Sequence, residues 1–253
     1  MPESKQYPIS EIFISPQGEG QYAGSQMAFV RLAGCTVGKP FPKEYYKHEL
    51  QHPVLPIYTE MCTLYDGRTF ACDTDYRVKE RLTIDQIFDR IRSLEQTPAG
   101  TELYTRHVCV TGGEPFIHDL DPFLMGCFAR LLQLHVETSG TIPFKKAFPR
   151  DSSLINSPNN LWITVSPKYG ALPEMMIRAH EIKLLVDEDF KLEKIPEAVI
   201  KHPLVYIQPV NYEHEVNPDN LRRVMDLQKT HPQWRVSLQL HKVLSHYIGE
   251  RVL

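Results

Sequence analysis

Cys35, Cys62 and Cys72 are the residues of this 253-residue chain best suited to metal chemistry. The gaps between them are 26 and 9 residues, and Cys72 is followed at once by Asp73, Thr74 and Asp75. Three thiolates are enough to hold a [4Fe-4S] cluster while leaving one iron open to an exogenous chelating ligand. Wide spacing is no obstacle, because a loop brings distant residues together at modest entropic cost. The alternative is a structural zinc site with four closed ligands, the fourth being His48 or His52. Cys109 alternates with Val108 and Val110, and Cys127 lies on an apolar helical stripe, so both read as small buried hydrophobes.

These side chains need elements to carry them. Met27 to Leu32 is an apolar run of strand length that ends at Ala33-Gly34-Cys35. Thr36 to Ala71, rich in Pro, Gly, Tyr and charge, has no sustained period and reads as a long excursion, and loops of that length are usually functional or disordered. Thr83 and Gln86 match a capping box for a helix with Ile84, Ile87, Phe88, Ile91 and Leu94 on one face. Asp121-Pro122 opens another, with Phe123, Leu124, Cys127, Phe128, Leu131 and Leu132 at helical spacing, and Asn217 to Lys229 is a third. Strands are predicted at His107 to Thr111, Leu134 to Glu137, Leu161 to Val165, Glu181 to Val186, Val205 to Val210 and Val236 to Leu240.

Strands separated by connections of crossover length imply parallel pairing. The predicted fold is therefore α/β, a partial β/α barrel with a largely parallel sheet, in one domain over residues 1–253 with a cluster-binding loop at 35–72. In such barrels the chemistry sits where strands end. Cys35, Thr111-Gly112-Gly113-Glu114, Glu137-Thr138-Ser139, Ser166-Pro167-Lys168 and Gln208-Pro209 all fall there. The two glycines after Thr111 let backbone approach a ligand closely.

A net charge of -3 provides no basic field for a general nucleic-acid binder. The sequence has no apolar run of membrane-spanning length and no signal-peptide pattern at its amino terminus, which predicts a cytoplasmic protein with reduced thiols. Five cysteines, an odd number, fit metal ligation plus buried thiols better than a disulfide framework.

Gln17-Gly18-Glu19-Gly20, Phe29 to Cys35 and Cys72-Asp73-Thr74-Asp75 resemble the amino-terminal motifs of the 7-carboxy-7-deazaguanine synthase family, radical S-adenosylmethionine enzymes of deazapurine and queuosine biosynthesis. The resemblance continues, in family order, through Thr111 to Pro115, Val136 to Gly140, Ser166 to Lys168, Gln208-Pro209 and Leu238 to Lys242. One departure is that the common radical-enzyme cysteine spacing, C-x3-C-x2-C, is widened here.

The resemblance implies that Cys35, Cys62 and Cys72 hold the cluster and that Thr74 offers a hydroxyl to Mg2+. It also implies that S-adenosylmethionine meets Thr111, Gly112, Gly113, Glu114, Glu137, Ser139, Ser166, Lys168 and Gln208. Gln17, Glu19, Gly20, Arg31, Asp73 and His241 are then the substrate side, since a carboxylated pterin wants an amide, a carboxylate and a guanidinium fork. The implied reaction converts 6-carboxy-5,6,7,8-tetrahydropterin to 7-carboxy-7-deazaguanine with loss of ammonia, in a homodimer reduced by a flavodoxin or ferredoxin. Two rivals stand beside it. A glycyl-radical-enzyme activase shares the cluster and cosubstrate but lacks reason for Gln17 to Gly20 and Gln239 to His241, and a non-catalytic zinc module would be colourless.

Overall fold

The period-two alternation of the apolar runs produces one sheet with two unlike faces, seen in the computed structural model, which describes residues 5–37, 61–72, 74, 77–95, 102–150, 153–211 and 217–248. In chain order its strands are β1 (Gln6–Pro16), β2 (Gln26–Leu32), β5 (Glu80–Thr83), β6 (His107–Gly112), β7 (Gln133–Thr138), β8 (Leu161–Val165), β9 (Glu181–Val186), β10 (Val205–Pro209) and β11 (Arg235–Val236). β3 (Met61–Thr63) and β4 (Thr69–Ala71) form a separate antiparallel hairpin. The large sheet runs β11-β10-β9-β8-β7-β6-β2-β1-β5. From β2 to β11 all neighbours are parallel, whereas β1 pairs antiparallel with both β2 and β5. The sheet is thus mostly parallel and open, with β5 and β11 as its edges.

Ala28, Val30, Val108, Val110, Val136 and Ile163 all point to one face and are buried in the main core. Helices α1 (Ile84–Glu95), α2 (Asp121–Phe128) and α6 (Pro218–Thr230) contribute to it, between them burying Ile87, Phe88, Ile91, Phe123, Leu124, Val224 and Leu227. Short helices α3 (Phe144–Ala147), α4 (Pro173–Arg178) and α5 (Glu197–Ile200) lie in the connections, and α7 (Leu240–Ile248) closes the described chain. No helix among the described residues is long and apolar enough to cross a membrane.

Local signals explain the helix starts. Thr83 Oγ1 accepts from Gln86 N at 3.3 Å while Gln86 Oε1 accepts from Thr83 N at 2.8 Å, the reciprocal box expected at α1. Thr83→Ala is expected to cost about 1 kcal/mol, seen as a lower urea midpoint at unchanged slope. Asn217 caps α6 by accepting from Asp219 N and Asn220 N at 3.0 and 3.1 Å.

Two expectations are corrected. The apolar spacing carried past Cys127 to Leu132 does not stay helical: α2 ends at Phe128, and Leu131 takes φ 56° with 76% of its surface exposed. The predicted strand over Val236 to Leu240 is only the two-residue β11, after which the chain turns into α7.

Candidate active site

Residues between the core positions necessarily face the other side of the sheet, and there the strands present Arg31, Thr111, Glu137, Thr164, Glu181, Lys183 and Gln208. This polar row is knitted by the loop from Gln17 to Tyr22. Gln17 Nε2 donates to Glu137 Oε1 at 3.0 Å, and Thr111 Oγ1 donates to Glu137 Oε2 at 3.0 Å. Glu19 forms a close ion pair with Lys183 and accepts from Gln208 Nε2 at 2.9 Å. Gly20 N donates to Ser237 Oγ at 3.1 Å, and Gln21 N to Glu181 Oε2 at 2.9 Å. A Cβ on Gly18 would sit 2.3 Å from His241 Nδ1, so the bare backbone there is what lets the loop seat against the start of α7. The predicted substrate-side residues Gln17, Glu19, Gly20 and His241 are therefore brought together.

Burial alone would push the Glu19 carboxyl up, but the Lys183 ammonium and the Gln208 amide, helped by His241, hold it down at about 2. For Lys183 burial opposes the charge, and Glu19, Glu137 and Glu181 more than offset it, so its ammonium is held more firmly than usual. Burial raises Glu181 despite its bonds from Thr164 and Gln21.

At the far side of the row Arg31 Nη1 donates to Thr74 Oγ1 at 3.2 Å and its Nε lies 3.3 Å from Glu11 Oε2. The guanidinium rests over the Phe13 ring, 5.7 Å from its centroid. Asp73, predicted beside them, lies outside the described residues, as do His48 and His52.

The turn after β6 packs tightly against the chain leading into Cys35. A Cβ on Gly112 would come 2.2 Å from Leu32 O, and one on Gly113 would come 2.0 Å from Gly34 O and 2.8 Å from the Cys35 Cβ. The close approach these glycines allow is to the chain leading into Cys35. Glu114 is buried and accepts from Phe116 N at 3.0 Å, Thr138 Oγ1 at 2.6 Å, Ser139 N at 2.9 Å and the Ser139 hydroxyl. It fastens the ends of β6 and β7 together. Ser166 N and Lys168 N donate to Thr138 O and Ser139 O at 2.9 and 3.2 Å, extending the same rim to β8.

The cysteine hairpin is docked on that rim. Leu64 bridges Lys168, Tyr169 N donates to Thr63 O at 2.9 Å, and Lys168 Nζ lies 4.9 Å from the Phe70 ring centroid. Burial lowers the Lys168 amine, and the sulfurs of Cys62 and Cys72 act on it in the opposite sense. Arg68 ties the hairpin to β9 by pairing with Asp187 and donating to Leu185 O at 2.9 Å. No disulfide joins any of the five cysteines. Among the described residues no group of three or more His, Cys, Asp or Glu side chains is already gathered to hold a metal ion, so Cys35, Cys62 and Cys72 are not drawn into a ligand set. The donor chemistry still fits an iron-sulfur cluster: three sulfurs at the strand-end rim, Cys35 against Gly113, and Cys62 on the hairpin and Cys72 directly after it, both near Lys168. Cys109 and Cys127 are fully buried in apolar clusters, as expected.

The opposite end of the polar face is filled by aromatic rings. Tyr22 packs edge-on against His107, His135 and Trp162 at 5.3, 4.5 and 5.1 Å between centroids. Burial, with His107 and His180 nearby, lowers His135 to about 3. Sequence reasoning did not single out Lys183, Glu181, Thr164, Ser237 or Tyr22. The usable signal for the first two was Glu181-x-Lys183, two charges at strand period inside an apolar run.

No family model matches the chain. A 7-carboxy-7-deazaguanine synthase from Synechocystis is 31% identical over 249 residues, covering 97% of this chain and 94% of the relative. Proteins of the same name from Bradyrhizobium diazoefficiens and Escherichia coli K12 are 30% and 28% identical over 94% and 95% of this chain. The crystal structure of QueE from Escherichia coli superposes with a TM-score of 0.60 at 27% identity, covering 93% of this chain and 95% of that one.

Proposed function

This chain belongs to the 7-carboxy-7-deazaguanine synthase family, and from that premise we propose that it converts 6-carboxy-5,6,7,8-tetrahydropterin to 7-carboxy-7-deazaguanine with loss of ammonia. It is a lyase of the radical S-adenosylmethionine class, acting in deazapurine and queuosine biosynthesis. The observation that carries the substrate reading is the polar face itself, with a carboxylate-amide cluster at Glu19 and Gln17 and a guanidinium at Arg31.

A [4Fe-4S] cluster on Cys35, Cys62 and Cys72 with S-adenosylmethionine on its open iron would supply the electron and the 5'-deoxyadenosyl radical that starts the reaction. The chain's own residues bind and orient. Arg31 takes the pterin carboxylate, and the Thr74 hydroxyl beside it contributes an oxygen to Mg2+. Gln17 and Glu19 read the ring edge, and His241 closes the same side. Ser139, Ser166 and Lys168 at the rim, with Thr111, Glu137 and Gln208 on the face, hold the cosubstrate; Gly112, Gly113 and Glu114 set the rim's shape beneath it. The Tyr22 ring packing keeps water from the inner end of the face. The sheet's open edges suit a partial rather than a closed barrel. A homodimer in the cytoplasm, reduced by a flavodoxin or ferredoxin, completes the reading.

Purified without oxygen, the protein is expected to be brown with about four iron and four sulfide per chain, and to yield product by mass spectrometry when given reductant, S-adenosylmethionine and the carboxypterin. Cosubstrate cleavage without product would favour a glycyl-radical activase, and a colourless zinc protein would end the radical reading.

A further inference from the structure

Lys183 stands in the middle of β9, its side chain 9% exposed, and its ammonium meets one oxygen of Glu19. The other Glu19 oxygen accepts from Gln208 Nε2 at 2.9 Å. That amide cannot flip without loss, because Ser237 Oγ donates to Gln208 Oε1 at 3.2 Å while accepting from Gly20 N at 3.1 Å. Each carboxylate oxygen has two lone pairs, so one donor on each leaves one further acceptor on each. The Glu19 side chain keeps 14% of its surface exposed, so the pair is not sealed off. Two acceptors side by side match two parallel N–H donors, the pattern a 2-amino-4-oxo pyrimidine ring offers from its ring N–H and its exocyclic amine.

We propose that Lys183 is a positioning and specificity-determining residue, fixing the Glu19 carboxylate so that it accepts the paired N–H groups of the 2-amino-4-oxo ring edge. This deepens the pterin reading above and rests on it. Without the ammonium, the buried Glu19 carboxylate loses the cation that holds it charged against its burial. It would turn away or take up a proton, and an O–H opposed to an N–H costs the match.

The test is equilibrium binding by anaerobic calorimetry, which needs no turnover, with two probes: 6-carboxypterin and its 2-oxo counterpart, 6-carboxylumazine. The wild-type protein should prefer the 2-amino probe by at least about tenfold, since a site built to bond a donor rejects the analogue lacking it. Lys183→Met should reduce that preference to under about threefold, and Lys183→Arg, which keeps the charge, should restore most of it. A folded Lys183→Met protein that keeps the wild-type preference overturns the proposal, as does a wild-type protein that binds both probes equally. A wild-type protein that binds neither overturns the pterin reading and this proposal with it. Should Lys183→Met fail to fold, Lys183→Gln against Lys183→Arg makes the same comparison.

Discussion

Cys62→Ala is expected to purify without oxygen carrying under about a tenth of the parent's iron and sulfide, and to lose product formation by at least about a thousandfold, because three thiolates are the minimum that holds the cluster. Cys62 is buried on the docked hairpin and is the one cysteine within its strands, Cys72 following directly after β4. Cys109 and Cys127 cannot substitute. Burial pushes the Cys127 thiol up to about 12, and burial with Glu137 nearby raises Cys109 well above its ordinary value, whereas a ligand must be a thiolate. Cys109→Ala and Cys127→Ala are accordingly expected to retain iron at the parent level. Iron and sulfide determination on all three variants checks the assignment, and iron loss confined to the two buried apolar positions would contradict it.

Gly113→Ala is expected to destabilise the fold by at least about 3 kcal/mol in urea unfolding and to lower iron retention as well. A new Cβ would stand 2.0 Å from Gly34 O and 2.8 Å from the Cys35 Cβ, and the first contact is backbone that cannot rotate away. Glu114 N, donating to Gly34 O at 2.9 Å, ties the two chains at the same point, so relief would have to break that bond. The control is Gly67→Ala. Its φ of 92° disfavours a side chain, yet a Cβ there would meet no atom within 4 Å, so the cost should be only about 1–2 kcal/mol. A Gly113→Ala protein no weaker than Gly67→Ala would show that the crossing of the two turns is looser than the geometry says.

The strands were legible wherever an apolar run was bounded by turn residues. Leu161–Val165 and Glu181–Val186 have the predicted limits, because a parallel strand covered on both faces carries little ambiguity of period. The chain near Leu131 was not legible, since Leu131 and Leu132 continue the stripe of α2 and only the positive φ of Leu131 breaks it. Val236 to Leu240 failed for a similar reason, because five residues of mixed pattern support a strand or a helix start equally. The site's motifs were readable as an ordered set, but their geometry was not. Glu114 reads as a ligand carboxylate, and its part in fastening the strand ends, through four donors from Phe116, Thr138 and Ser139, has no signal in the sequence. Lys183 was hidden for the opposite reason: charges at strand period, as in Glu181-x-Lys183, suggest an exposed face until the lysine's partner, 164 positions away, is in place.

The hairpin of β3 and β4 is held by its own bridge to Lys168 and by Arg68 reaching Asp187 and Leu185. Its sulfur at Cys62 is therefore indexed to the sheet next to β8 and β9. That insulates the separation between the first two cysteines from the placement of the second: residues can be gained or shed between positions 35 and 62 during evolution without dragging the thiol out of place. A motif defined by fixed cysteine spacing can thus drift while the three-dimensional anchor persists.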